Sequence, residues 1–219
     1  MKLEKLWEIT GIESVTPVFC CGDIDRDNDV EIVMDDGLGN LLIISGEAGK
    51  LQRVGGLIKG KVNDIIIGDI DNDKIAEVCV AQEPDEVVIY SYDKKVTTIQ
   101  LPTTPLKMHA FDMDSDGLVE ILVLDVSSAL NIIKKEKVTS RTILSEPIYL
   151  IDLSDIDYDS YPEVMVAHDT KLSVFKYLNE RLQFLAENDF GFKPRQVFLE
   201  DINGDGKKEL VLSQKNAFY

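Results

Sequence analysis

Apolar and polar positions along this chain change over in short runs that carry no helical period. In the first part of the chain, Pro17 to Gly22, Glu31 to Met34, Leu41 to Ser45 and Lys50 to Val54 each read as a strand. Turn-forming residues separate them, with Asp36-Gly37-Leu38-Gly39-Asn40 before the third run and Gly46-Glu47-Ala48-Gly49 before the fourth. Val, Ile and Leu suit a pleated, buried surface, whereas Gly, Asn and Asp supply the backbone angles a tight turn requires. The same plan recurs at Leu106–Phe111, Glu120–Leu124, Ala129–Lys134 and Val138–Leu144. No segment holds apolar residues on one helical face for three turns, so the expected class is all-β.

A nine-residue pattern opens each unit. Asp23-Ile24-Asp25-Arg26-Asp27 precedes Glu31-Ile32-Val33-Met34, and Asp69-Ile70-Asp71-Asn72-Asp73 precedes Glu77-Val78-Cys79-Val80. The later copies begin at Asp112, Asp155 and Asp201, so the leading acids are 46, 43, 43 and 46 residues apart. Four strands per unit at that period is the signature of a β-propeller, one four-stranded blade per repeat. The fifth unit supplies Arg195–Leu199, Glu209–Ser213 and a stub at Ala217–Tyr219. Leu3–Ile9 reads as a further strand, with Trp7 packed on it. Pairing that strand with the last unit would close a five-bladed ring and cover both sheet edges. A fragment of a six- to eight-bladed ring is the alternative. Either way residues 1–219 are expected to form a single domain.

Carboxylates at positions 1, 3 and 5 of a tight loop converge on one point, and an acid at position 9 closes the shell. The side chains so placed are Asp23, Asp25, Asp27 and Glu31; Asp69, Asp71, Asp73 and Glu77; Asp112, Asp114, Asp116 and Glu120; Asp155, Asp157, Asp159 and Glu163; and Asp201, Asn203, Asp205 and Glu209. Hard oxygen donors in that number suit Ca²⁺, and without a cation they would repel one another. An EF-hand is excluded, because it needs Glu at position 12, where Met34, Val80, Val123, Val166 and Leu212 stand.

This pattern, followed by Ile/Leu-Val, resembles the FG-GAP (VCBS) repeats of integrin-α-like β-propellers, over essentially the whole chain. Phe190-Gly191, ahead of the fifth copy, is similar to the Phe-Gly pair that names the family. The resemblance implies several structural Ca²⁺ ions held by side chains from positions 1, 3, 5 and 9 and a carbonyl from position 7. Those carbonyls would belong to Asp29 in the first loop, Leu118 in the third and Lys207 in the fifth. Position 6 favours glycine, for a backbone of positive φ. Gly117 and Gly206 fit and Asn28 is tolerated, while Lys74 and Ser160 fit poorly and Pro162 stiffens the fourth loop. The third and fifth loops therefore rank tightest, the first next, the second and fourth last.

Charge narrows the function. Asp and Glu total 40 against 23 Lys and Arg, a formal net charge of −17; five Ca²⁺ would bring it to −7 and three to −11. Phosphate would be repelled, which argues against nucleic acid and anionic membrane as partners. No apolar run approaches the roughly 20 residues of a spanning helix. Charges at Lys2, Glu4 and Lys5 interrupt any signal-peptide core, and Cys20, Cys21 and Cys79 make an odd number, so a cytoplasmic location is expected. The adjacent Cys20 and Cys21 are expected on opposite faces of their strand, as small apolar filling.

No nucleophile elbow, phosphate loop, dinucleotide fingerprint or zinc spacing is present, and His109 and His168 read as core or surface residues, so no enzyme is expected. The turn face opposite the acidic loops would gather Asp35, Asp36, Glu83, Asp85, Glu86, His168 and Asp169 with Lys59, Lys61, Lys107, Lys193 and Arg195. The expected function is a calcium-stabilised protein-interaction module with structural metal. The alternative is a carbohydrate-binding or polysaccharide-active propeller, although Tyr90, Tyr92, Tyr149, Tyr158 and Tyr161 do not fall on one turn face.

Overall fold

Each apolar run becomes a strand and each acidic or glycine-bearing interval a turn. The computed structural model describes residues 8, 10, 18–45, 50–54, 58–91, 94–214 and 217–218. Strands β1 (Phe19–Gly22), β2 (Glu31–Asp35), β3 (Leu41–Ser45) and β4 (Lys50–Val54) pair in chain order as one antiparallel sheet. The second sheet is β5 (Val62–Gly68), β6 (Glu77–Gln82), β7 (Glu86–Ser91) and β8 (Lys94–Gln100). The third is β9 (Pro105–Phe111), β10 (Glu120–Asp125), β11 (Ala129–Lys134) and β12 (Lys137–Ile143). The fourth is β13 (Ile148–Ser154), β14 (Glu163–His168), β15 (Lys171–Leu178) and β16 (Arg181–Asp189). A three-stranded sheet of β17 (Gln196–Glu200), β18 (Glu209–Gln214) and β19 (Ala217–Phe218) ends the series. There is no helix among the described residues. These are propeller blades, and their strands begin and end within two residues of the runs read from the sequence. The expected closing strand at Leu3–Ile9, and Trp7 with it, lies outside the described residues.

The second strand of a blade is covered on both sides, and for that reason it reads as an unbroken apolar run. β6, β10 and β14 are buried along their whole length. Successive side chains of a strand point to opposite faces, and here they enter different cores. Ile121 and Val123 pack with Cys79, Ala81, Val87 and Ile89 of the second blade. Leu122 and Leu124 turn the other way, onto Val164, Val166, Phe175 and Tyr177 of the fourth. Met165 and Ala167 then meet Val197 and Leu212 of the fifth. Each fully buried side chain of this kind is worth about 1.5–3 kcal/mol, so the blades are held mainly by the apolar wedges between them.

Polar links join the first strands of neighbouring blades. Asp64, buried on β5, accepts the Met108 N–H of β9 at 2.7 Å and pairs with Lys107 Nζ at 2.8 Å. Cys79 is buried and Cys21 exposed, and Cys20 packs against the core between the first two blades.

Candidate metal-binding loops

The connection from first to second strand in each blade is the acidic nonapeptide, and all five copies share one backbone course. Position 4 has positive φ in every copy (Arg26 65°, Asn72 61°, Ser115 55°, Tyr158 62°, Gly204 76°). Position 6 does too (Asn28 68°, Lys74 72°, Gly117 85°, Ser160 73°, Gly206 86°). The left-handed region costs an L-residue about 1–2 kcal/mol, and side-chain acceptors hold the loop there. The position-1 Asp accepts the N–H of position 6, at 3.1 Å from Asn28 to Asp23, 2.9 Å from Lys74 to Asp69, Gly117 to Asp112 and Ser160 to Asp155, and 2.8 Å from Gly206 to Asp201. The position-5 Asp accepts the N–H of position 7, as when Asp27 takes that of Asp29 at 2.8 Å and Asp116 that of Leu118 at 2.9 Å. Ser160→Gly removes a side chain from a left-handed position and is expected to raise stability by about 0.5 kcal/mol, read from the urea midpoint.

Position 9 opens the second strand, and its Glu folds back under the loop. Glu31, Glu77, Glu120, Glu163 and Glu209 accept the position-2 N–H of Ile24, Ile70, Met113, Ile156 and Ile202 at 3.1, 2.9, 2.7, 2.9 and 3.0 Å. One face of each acid is thus bound to backbone, and the remaining oxygens converge. Ligand atoms of Asp23, Asp25 and Asp27 lie within 4.8 Å of one another, as do those of Asp69, Asp71 and Glu77, of Asp112, Asp114 and Glu120, and of Asp155, Asp157 and Glu163. Burial, and then the neighbouring Asp carboxylates, pushes Glu77 up to about 7 and raises Glu31 as well.

The donor sets differ in what faces them. The second loop borders a cavity of about 350 Å³ lined by Asp71, Asp73, Glu77 and Ser91, with Lys135 of the third blade on its wall, and Asp69 Oδ1, like Asp114 Oδ1 of the third loop, is buried with no hydrogen-bond partner. This donor set fits a hard divalent cation. In the third loop Lys134 Nζ stands 2.7 Å from Asp114 Oδ2, 2.9 Å from Asp116 Oδ2 and 2.6 Å from Glu120 Oε1. In the fourth, Lys176 Nζ stands 3.1 Å from Asp157, 2.6 Å from Asp159 and 2.7 Å from Glu163. The fifth loop is solvent-exposed up to position 8, and Asn203 Nδ2 donates to Glu209 Oε1 at 2.9 Å and Asp205 Oδ2 at 3.2 Å. Lys134 and Lys176 lie outside the nonapeptide. The signal that finds them is strand register: Glu31 pairs with Ser45, Glu77 with Ser91 and Glu163 with Lys176, while Ile121↔Ile133 sets Lys134 across from Glu120.

Position 4 also reaches the next loop. Arg26 donates from Nη2 to the Asp73 carbonyl at 2.9 Å and from Nε to the Lys74 carbonyl. The Tyr158 hydroxyl accepts the Lys208 N–H of the fifth loop.

On the opposite face several residues expected to meet a partner are instead buried turn clamps. Asp36 accepts the N–H of Leu38 and Asn40 at 2.8 and 3.1 Å. Asp125, which was not among them, is a clamp of the same kind and binds Ser127, Ala129, Asn131 and Arg141. His168 Nε2 lies 2.8 Å from Ser173 Oγ, which donates to Glu187 at 3.0 Å; His168 and Ser173 are both buried, so that hydroxyl is not presented to substrate. Asp35 is buried as well. Glu83, Asp169, Lys59, Lys61, Lys107, Lys193 and Arg195 remain exposed there. His109 is half-buried, and burial, then Lys107, holds its ring below the usual imidazole value.

Antiparallel blades, each with an acidic nonapeptide between its first and second strands, define a β-propeller repeat protein. Residues 155–212 match the model of the FG-GAP-like repeat, so the chain carries this repeat from the acidic loop of its fourth blade into the second strand of its fifth. No curated protein matches the chain. Among solved structures it is similar to BBS1N in complex with ARL6DN, at 14% identity and a TM-score of 0.69, covering 94% of this chain and 64% of that one. The V. cholerae biofilm matrix protein Bap1 is similar at 17% identity and a TM-score of 0.58, over 78% of this chain and 28% of that one. Apo AztD from Citrobacter koseri is similar at 15% and 0.57, over 77% and 46%. Such identities show a shared fold alone, and the chain spans less than two thirds of the length of each of these proteins.

Proposed function

We propose that this protein is a calcium-stabilised β-propeller that serves as a protein-interaction module, its metal structural and not catalytic. The observation that carries the metal half is the second loop, where three acids converge beside a cavity and Asp69 Oδ1 is buried without a partner. Ca²⁺ would be held there by Asp69, Asp71, Asp73 and Glu77, and in the first loop by Asp23, Asp25, Asp27, Glu31 and the carbonyl of Asp29. The ion would offset part of the loop's negative charge and fix the first strand of the blade to the second. The interaction half is supported by BBS1N, a protein of similar fold whose structure is of a complex with ARL6DN. The exposed charges of the turn face, Glu83, Lys59, Lys61, Lys193 and Arg195, offer a surface of mixed sign suited to a protein and not to a polyanion.

Thermal unfolding of the full chain in millimolar Ca²⁺ against excess chelator, with Mg²⁺ as control, tests the metal. A ligand at 100 times its Kd adds about 2.7 kcal/mol per site, so a rise in Tm specific to Ca²⁺ is expected. Equal midpoints in all three buffers would remove calcium from the function.

A further inference from the structure

We propose that Lys134 and Lys176 are the resident cations of the third and fourth loops, so that these two blades are locked without metal and calcium is confined to the first, second and fifth. The confinement rests on the calcium reading above; the role of the two lysines does not.

The two lysines occupy the same place in different blades. Each stands on the third strand, across from the motif Glu, and each ammonium touches the acids of positions 3, 5 and 9. All six contacts lie between 2.6 and 3.1 Å, and the two side chains are only 6% and 8% exposed. A Lys carries three donors and no acceptor, and here three carboxylates meet it. Glu120 and Glu163 are fully buried, so the ammonium supplies their counter-charge inside the blade.

The same position holds Ser45 and Ser91 in the first two blades, and a hydroxymethyl group is too short to reach the acids and brings no charge. A cavity of about 350 Å³ borders the second loop and one of about 320 Å³ the third, and in the third the Lys134 ammonium stands among the acids at its wall. In the fifth blade, Ser213↔Phe218 and Gln214↔Ala217 place the residue across from Glu209 outside β19.

Ammonium and metal exclude each other. Ca²⁺ needs these oxygens at about 2.3–2.6 Å, a position within contact distance of Nζ. Two cations so close, in a half-buried site, repel strongly. To bind, calcium would have to expel a side chain already tethered at its own site, and a tether supplies an effective concentration of order millimolar or more. Lys137, which lines the rim of the third loop with Lys134, adds to the barrier. On this account Gly117 serves the backbone turn alone, and the third loop, ranked tightest from its glycine, takes no ion.

Lysine acylation followed by mass spectrometry, on the wild-type full chain in chelator and in millimolar Ca²⁺, tests the proposal directly. Reaction at a buried amine requires local opening, so Lys134 and Lys176 are expected to react at least about tenfold more slowly than exposed Lys137 and Lys193 in both buffers. Faster acylation of the pair when calcium is added would overturn the proposal. Calcium stoichiometry by equilibrium dialysis, on wild type and on a Lys134→Ser, Lys176→Ser double variant, gives a second reading. The variant is expected to gain two sites over a wild type that binds no more than three. A wild type binding four or five, or a folded variant that gains none, sinks the idea. A wild type binding none beside a variant binding two would remove calcium from the other loops and leave the lysines' role standing. If the variant fails to fold, the wild-type acylation pattern decides alone.

Discussion

Glu120→Ala is expected to lower stability by about 3–5 kcal/mol, the cost of breaking a buried ion pair by removing one partner. Two groups lose their acceptor at once. The Met113 N–H, held at 2.7 Å, is left in a buried position with no partner, and an unsatisfied buried donor costs about 1–3 kcal/mol by itself. Lys134 keeps Asp114 and Asp116, but both of these are more exposed than Glu120 and screen it less. Glu120→Gln keeps an amide oxygen for the Met113 N–H but sets its NH2 against the Lys134 ammonium, donor to donor, so the Gln variant is also expected to fall below wild type. Urea unfolding of the three proteins in chelator measures this, and a loss under about 1 kcal/mol for Ala would show that the loop relaxes around the change.

Asp125→Ala is expected to cost a similar amount, about 3–5 kcal/mol, through a different element, the turn between β10 and β11. The carboxylate, 1% exposed, accepts Ser127 N–H at 2.9 Å, Ser127 Oγ at 2.6 Å, Ala129 N–H at 3.1 Å, Asn131 Nδ2 at 3.0 Å and Arg141 Nη2 at 3.1 Å. The same contacts set a pH dependence. Burial alone would raise the Asp125 pKa, but the hydrogen bonds from Ser127, Asn131 and Ala129 outweigh it and hold the group below the ordinary carboxylate value. A pKa lowered by folding contributes stability that is fully present above the unfolded value and is lost as pH falls through the folded one. Asp125 thus supports the fold at neutral pH, and its contribution fades below the unfolded Asp value of about 3.9. Asp125→Asn should be less stable than wild type at pH 6 and draw closer to it toward pH 3. Parallel curves over that interval would place the acid sensitivity elsewhere.

The elements of the sequence that could be read were those whose cause is local. Asp69, Asp71 and Asp73 point to one spot because a single tight turn carries all three, and Glu77 joins them from the first position of the next strand. Strands such as Glu120–Asp125 were legible because burial on both faces leaves only apolar residues between the first and last positions. Lys134 was not legible from the motif, because its link to Glu120 runs across the sheet and requires the register of β10 against β11. Asp36 and His168 misled for a related reason. Both sit at the end of a second strand beside a polar turn, where sequence alone places them among surface charges. Whether such a residue faces water depends on whether the turn folds back over it, as Leu38 and Asn40 do over Asp36.

Arg26 and Tyr158 carry a consequence for how the blades open. Repeat arrays behave as chains of units whose stabilities combine an intrinsic part with nearest-neighbour coupling. The guanidinium that caps the Asp73 and Lys74 carbonyls, and the phenol that takes the Lys208 N–H, are couplings of that kind, placed on the rim where solvent would enter first. A blade bound this way does not fray alone. The Lys208 amide is expected to exchange with solvent as the Tyr158 loop of the neighbouring blade lets go, so exchange at one loop would report on the loop beside it.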